Sequence, residues 1–270
     1  MRILYGVSSV GLGHARRSLT IADWLRKSTP GIEIDWVSSQ PVISFLEQKG
    51  ERILPVSYKL ESLSSVMEER VSAGRLADMS RVARISSSIA RQNYFMLKEY
   101  LGGYDLLIQD EFSETMFSFM WDKKAKNLQD RIVVTDYFQF QSGGTFNPIT
   151  SLTLWYANRM LKKAFEKSSL SIFADELDSI PPRRRSEASR MFEIVGPIVP
   201  SAPDERRDVL KEKIVADLWG QQFGTRKLIV VAIGGTSIGK YLIDFLNTNS
   251  KEITEKLDCL ILILLGPRVE

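Results

Sequence analysis

The 270-residue sequence holds one cysteine and one histidine, and these two scarcities constrain its chemistry before any motif is considered. A lone Cys259 cannot close an internal disulfide, which removes the disulfide scaffolds and fits a reducing, cytoplasmic setting. One cysteine and one histidine cannot assemble a tetrahedral set of soft ligands, so a zinc site is not expected. No D-x-D pair is available to hold a divalent ion on a diphosphate, and no apolar run is long enough to span a bilayer. The opening Met1-Arg2-Ile3-Leu4-Tyr5 runs straight into a glycine-bearing turn, unlike a signal or targeting segment. An excess of charge of one sign is also lacking. With 36 basic and 33 acidic residues the net charge is only +3, so the footprint of a nucleic-acid binder is missing, and anionic ligands or a membrane surface are the charged partners left open.

What is present is a 44% hydrophobic chain in which short apolar runs bounded by turn residues alternate with segments of helical period. That alternation predicts an α/β fold with a doubly wound, Rossmann-like parallel sheet. Strands are expected near 2–8, 32–38, 52–56, 105–109, 131–136, 170–174 and 192–195. A first helix starting at His14 would place Ala15, Leu19, Ala22 and Leu25 on one stripe facing the sheet, and Pro41 and Gly50 bracket a short helix over 41–49. Residues 61–101 form a long helical region carrying Arg70, Arg75, Arg81, Arg84 and Arg91, read either as a solvated face or as a surface for an anionic partner. The segment Trp155 to Phe165 is either a crossover helix, with Leu154, Ala157, Leu161 and Ala164 as its core stripe, or a lipid-interface helix. Arg183-Arg184-Arg185 after two prolines is expected to be an exposed loop.

Gly196-Pro197 and the Pro200 to Asp204 stretch interrupt the alternation and mark a linker. The domains are therefore expected at 1–199 and 200–270. The second holds one βαβ unit: a strand at 228–233, a helix over 237–247 and a strand at 259–265. A parallel sheet needs both faces covered, so this second domain is expected to be incomplete, either continued in a longer chain or covered by another one.

The residues that bear chemistry gather at strand ends. Ser8 to Ser18 begins with a glycine-rich turn, Gly11-Leu12-Gly13, that opens a helix, where unpaired backbone N–H groups and the positive dipole end suit an anion or a polar substrate. The dinucleotide fingerprint fails because Arg16 stands at its third glycine, which counts against a nicotinamide enzyme. His14 is either a helix cap or a group that deprotonates an attacking hydroxyl. Asp110 and Glu111 end a strand expected beside the first, and either could orient the His14 ring, or Asp110 or Ser113 could cap the next helix. Asp136 has the same ambiguity. Gly234 to Lys240 spells G-x-x-x-x-G-K, but Tyr241 replaces the hydroxyl residue that a P-loop needs for magnesium.

The run Gly11-Leu12-Gly13-His14-Ala15-Arg16-Arg17-Ser18 resembles the G-x-G-H-x-x-R-S signature of GT-B glycosyltransferases related to the peptidoglycan N-acetylglucosaminyltransferase. Four further segments resemble that group in the same order: Asp105 to Asp110, Val195-Gly196-Pro197, Val231 to Gly239, and Gly266-Pro267-Arg268. The resemblance implies a GT-B fold and an inverting, metal-independent transfer of a hexosyl or N-acetylhexosaminyl group. It implies a nucleoside-diphosphate sugar donor, UDP-linked, held between two Rossmann-like domains, and an acceptor that is lipid-linked, with peripheral membrane contact and no further cofactor. It implies catalytic roles for His14, Asp110 and Glu111. Substrate contacts fall to Gly11, Gly13, Arg17 and Ser18 on one side and to Gly234, Gly235, Thr236 and Ser237 on the other. The part that holds the nucleobase and ribose in that group has no counterpart in these residues, so this chain alone is expected to be inactive. A nucleotide-sugar epimerase of the same fold and a non-catalytic acceptor-binding subunit are the alternatives.

Overall fold

A computed structural model describes residues 1–63, 65, 79–124, 130–140, 148–199, 207–220, 223, 226–232 and 240–264. Two compact units are present, Met1–Val199 and Pro200–Glu270. In the first, β1 (Arg2–Val7), β2 (Glu33–Val37), β3 (Leu106–Asp110), β4 (Asp130–Thr135), β5 (Leu170–Phe173) and β6 (Glu193–Ile194) form one sheet. Its order is β2-β1-β3-β4-β5-β6, and every pairing is parallel.

Alternation along β1 explains why both faces are closed. Ile3, Tyr5 and Val7 join a core with Trp36, Ile108, Val134 and the helix α1 (Leu12–Ser28) through Ala15 and Ala22. Leu4 faces the other way, into a second core with Val37, Leu107 and Phe112, where α3 (Met79–Leu101) contributes Tyr94, Leu97 and Leu101. Successive side chains of a strand point to opposite faces, so one apolar run serves two layers. Gly6 is part of this geometry: a Cβ there would lie 2.6 Å from a ring carbon of Phe112. Leu19 and Leu25 pack at the edge of the first core, so the stripe read from the sequence is the one α1 buries. The helix itself begins two residues earlier than expected, at Leu12, with Gly11 as its N-cap.

Three elements depart from the sequence reading. Residues 52–56 do not make a strand. Trp36 N–H donates to Arg52 O and Leu54 N–H to Trp36 O, giving a single bridge from Trp36 to Ile53, and then Pro55, which has no N–H to continue a ladder, starts a 3-10 turn over Pro55–Lys59. The short helix α2 (Val42–Gln48) follows Pro41 as expected, so β2 ends the sheet on that side. Arg183, Arg184 and Arg185 are not a loop but the first turn of α6 (Pro182–Met191). Pro182 supplies the fixed φ that suits a first helical turn, and Arg185 turns back to donate to the carbonyls of Ile180 and Asp178. The third departure is in the helix of the second unit, which runs over Lys240–Leu257 rather than stopping near 247.

Between β3 and β4 lies the short α4 (Ser113–Met116), and between β4 and β5 lies α5 (Pro148–Glu166), whose Leu161, Ala164 and Phe165 join a third core with Val133, Phe173 and Phe192. The second unit contains α7 (Arg207–Trp219), β7 (Lys227–Ala232), α8 (Lys240–Leu257) and β8 (Cys259–Leu264). Strands β7 and β8 pair in parallel. Cys259 and Leu260 are buried under α8 with Ile243 and Leu246, whereas Val230 is 52% exposed, and no residue of β7 is fully buried. Pro200 to Asp204, Arg70 and Arg75 lie outside the described residues, while Arg84 and Arg91 are exposed on α3.

Candidate active site

The direction in which successive strands are added across the sheet reverses between β1 and β3. From β1 the chain crosses to β2 on one side, and β3 then returns to the other side of β1. The carboxyl ends of two strands at such a reversal diverge from their connections and leave a crevice, which is where open α/β sheets hold ligands. Val7 pairs with Asp110 at that end, and Ser8 N–H donates to the Asp110 carbonyl at 2.9 Å.

Above it, Gly11 takes φ 146° as the N-cap of α1 without a side-chain capping bond, a backbone state that L side chains rarely adopt. Nothing stands within 4 Å of the Cβ position of either Gly11 or Gly13. A cavity of about 320 Å³ opens on that turn, lined by Val10, Gly11, Gly13, His14, Arg17, Asp136, Ala174, Pro197 and Ile198.

On α1, His14, Arg17 and Ser18 are spaced i, i+3, i+4 and therefore share one face. All three converge on Asp110. His14 Nδ1 lies 3.0 Å from Asp110 Oδ1, Arg17 donates through Nε to Oδ2 at 2.9 Å and through Nη2 to Oδ1, and the Ser18 hydroxyl donates to Oδ2 at 2.9 Å. Asp110 is completely buried. Burial opposes its charge, but the hydrogen bonds and charges of Arg17 and His14 outweigh it and hold its carboxyl below the usual carboxylate range. A carboxylate without a proton can pair with Nδ1 only if Nδ1 carries the hydrogen. The network therefore assigns the neutral ring its lone pair at Nε2, and the 3.1 Å approach of Arg17 Nη2 to Nδ1 is crowding around the shared oxygen rather than a second donor.

Glu111 flanks the other side of the ring. Its Oε2 is 3.5 Å from His14 Nε2, while Oε1 accepts from the Thr135 hydroxyl and the Asp136 N–H, each at 3.0 Å. Its backbone sits at φ 51°, in the left-handed region where a non-glycine residue is strained. Burial is the main cause that pushes the Glu111 carboxyl up to about 7, reinforced by Asp136 and Asp110 and opposed by His14. The His14 ring is raised above its ordinary value: burial acts against this, but the hydrogen bond to Asp110 and the charges of Asp110 and Glu111 prevail.

Both raised groups bind protons more tightly in the folded state, so both add stability that is complete below their unfolded values near 4.5 and 6.5 and is lost as pH rises through the folded values. Thermal unfolding should therefore show a midpoint that falls as pH rises from about 5 through the Glu111 value of about 7 and through the raised His14 value, with a shallower fall in Glu111→Gln. A midpoint that rises across that window would contradict this assignment.

Arg17 and Ser18 are both buried against Asp110, and Arg17 also lines the cavity. The guanidinium also reaches Asp136 Oδ2 at 2.9 Å through Nη1, so it clamps the ends of β3 and β4 together. Capping explains neither His14 nor Asp110, since α1 and α4 have no side-chain cap bonds. Asp136, ambiguous in the sequence, becomes the polar wall of the cavity. The apolar wall of Val10, Ala174, Pro197 and Ile198 had no signal in the sequence beyond the Gly196-Pro197 turn. Donor atoms of His14, Glu111 and Asp136 lie within 4.8 Å of one another, compact enough for a metal ion, but the Arg17 guanidinium already neutralises Asp136 and stands 3.7 Å from Glu111 Oε1. Gly234, Gly235, Thr236 and Ser237 lie outside the described residues. Larger hollows of about 570 and 890 Å³ border α5, away from this convergence of shifted groups.

No protein-family model matches the chain, and no curated protein matches it either. Solved structures do. The chain is similar to the glycotransferase of kitacinnamycin over 100% of its length and 66% of that protein's, at TM-score 0.50 and 12% identity. It is similar to TcCGT1 in complex with UDP over 98% of its length and 73% of that chain, at TM-score 0.53 and 12% identity. A Listeria monocytogenes protein described as a UDP-N-acetylglucosamine 2-epimerase matches over 99% of this chain and 63% of its own, at TM-score 0.51 and 10% identity. The chain thus spans about two thirds of the length of these proteins. At such identities the likeness shows the fold, which is α/β of the GT-B type.

Proposed function

We propose that the chain is the acceptor-side unit, with the opening of the donor-side unit, of a nucleotide-sugar glycosyltransferase related to the peptidoglycan N-acetylglucosaminyltransferase. The observation that carries this reading is the His14 ring held at Nδ1 by a buried, ionised Asp110 beside an open glycine turn. In a transfer, Nε2 takes the proton of an acceptor hydroxyl as its oxygen bonds to the anomeric carbon, and the nucleoside diphosphate leaves with the electrons of the glycosidic bond. Attack opposite to the leaving group inverts the anomeric centre. Asp110 stabilises the imidazolium that forms, and Glu111 bears on the other nitrogen, raising its basicity when ionised.

The cavity walls suit an acceptor with an apolar portion next to its hydroxyl, as a lipid-linked one would have. Donor contacts fall to Gly234, Gly235, Thr236 and Ser237 with backbone donors and no metal, and the donor is UDP-linked. Similarity to both transferase and epimerase structures keeps an epimerase as the second reading; it isomerises the sugar without an acceptor.

Thermal shift with a nucleotide panel tests the reading. UDP or a UDP-sugar at roughly 100 times its Kd should add about 2.7 kcal/mol of stability, with little response to adenine nucleotides. No response to any nucleotide or nucleotide sugar, in this chain or in one extended beyond Glu270, would remove the function.

A further inference from the structure

Tyr5 carries a polar group that packing does not explain. On β1 it stands between Trp36 of β2 and Ile108 of β3, in the core that α1 covers, and its ring stacks on Trp36 with centroids 4.6 Å apart. Ala15, Ser18 and Ala22 follow one another at steps of three and four along α1, and all are fully buried, so the helix sets its small side chains on the face that meets the sheet. Phenylalanine would stack on Trp36 and fill the space equally well. The Tyr5 hydroxyl is nevertheless enclosed, with no hydrogen-bond partner among the described residues. A polar group in that state has given up its water without compensation.

The polar groups that bear on this hydroxyl belong to the candidate site. Burial first, then the Asp110 charge, push the phenol above its ordinary value, and Ser18 and Arg17 oppose them. Tyr5 therefore keeps its proton and has an O–H to donate. Arg17 has no acceptor atom. A carboxylate offers about four acceptor positions, and those of Asp110 are taken by His14, by Arg17 through Nε and Nη2, and by Ser18. Ser18 remains: its own proton goes to Asp110 Oδ2 at 2.9 Å, which leaves lone pairs on Oγ to accept one from Tyr5.

We infer that Tyr5 is a positioning residue that acts through Ser18 on Asp110 and thereby sets the basicity of His14. The phenol donates to Ser18 Oγ, Ser18 donates to Asp110 Oδ2, and Asp110 Oδ1 holds the hydrogen of His14 Nδ1. Hydrogen bonds in series polarise one another, so a donor at the far end draws charge off the carboxylate. Charge drawn toward Ser18 no longer stabilises an imidazolium, and the ring stays unprotonated to a lower pH than Asp110 alone would allow. The charged groups around the ring are Asp110 and Glu111 at the end of β3, Arg17 on its own helix and Asp136 beyond β4; none of them is altered in Tyr5→Phe. The inference rests on the reading of His14 as the base, but it concerns the proton equilibrium of the ring itself, which is observable without turnover.

His14 is the only histidine, so the imidazole signals in the NMR spectrum of the untagged chain belong to it alone, and their titration with pH reads its value directly. Tyr5→Phe should move the midpoint of that titration upward by about 0.3 pH units, the size expected when one bond of a polarised series is lost. The variant keeps the stacked ring, so its unfolding midpoint should stay near that of the wild type. Ser18→Ala should raise the titration midpoint further. Adding Tyr5→Phe to Ser18→Ala should then change nothing more, because the two residues act through one link. If Ser18→Ala fails to fold, Ser18→Cys carries the comparison, its thiol being a weak donor and acceptor. No shift in Tyr5→Phe, or a downward one, overturns the inference. So do equal shifts with Ser18 present and absent, because Tyr5 would then act by another route. The titration decides this whether or not His14→Ala loses transfer activity, so the failure of one reading is distinguishable from the failure of the other.

Discussion

His14→Ala should lower kcat/KM for sugar transfer by about 10²–10⁴, the range a positioned general base contributes, with a much smaller change in donor KM. The ring's hydrogen bond to Asp110 is lost, but Arg17 and Ser18 still hold that carboxylate, so the variant should lose some stability and remain folded. Measurement requires a turnover-competent preparation and a readout of nucleoside diphosphate release. A decrease of less than about threefold would place the base elsewhere. The pH dependence adds a second check. A base with a raised value gives activity that climbs with pH through the folded value of the His14 ring, and that limb should vanish in His14→Ala.

Asp110→Ala should cause the largest loss of stability of any single change at the site. Removing the carboxylate leaves the Arg17 guanidinium, 8% exposed, with only Asp136 at 2.9 Å and Glu111 at 3.7 Å as acidic partners, and breaking a buried ion pair in this way costs about 3–5 kcal/mol. For a unit of this size that corresponds to a fall in the unfolding midpoint of roughly 6–20 °C. Asp110→Asn keeps the shape and should cost less, yet it removes the charge that stabilises the imidazolium, so activity should fall further than stability does. The costs of Asp110→Asn and Arg17→Gln should not add, because the two residues share a network. Additive costs would show that Arg17 finds other support.

His14, Asp110 and Glu111 were legible as candidates because residue type and position coincide: a lone histidine at a helix start, two acids at a strand end. What each does was not legible. Arg17 and Ser18 look like substrate contacts in the motif, and only the structure shows that both also hold Asp110. Their i, i+3, i+4 spacing from His14 was a usable signal, since it places all three on one helix face, but it does not say what that face meets. The φ of 51° at Glu111 has no trace in the sequence. The failure at residues 52–56 is of another kind: the apolar run was real, but Pro55 ended the ladder after two hydrogen bonds.

By itself the sequence determined the periodicities, and with them the parallel sheet, the glycine turn that opens α1, and the exclusion of an internal disulfide. These are local or compositional, set by side-chain alternation and by which residues can adopt a given φ. The tertiary structure decided that β3 lies against β1, so that residues 14 and 110, 96 positions apart, are hydrogen-bonded. It also decided that Glu111 is buried enough to hold a proton up to about pH 7, and that α5 leaves Trp155 and Tyr156 exposed. Strand order and burial depend on contacts between distant segments, and no single stretch of chain encodes them.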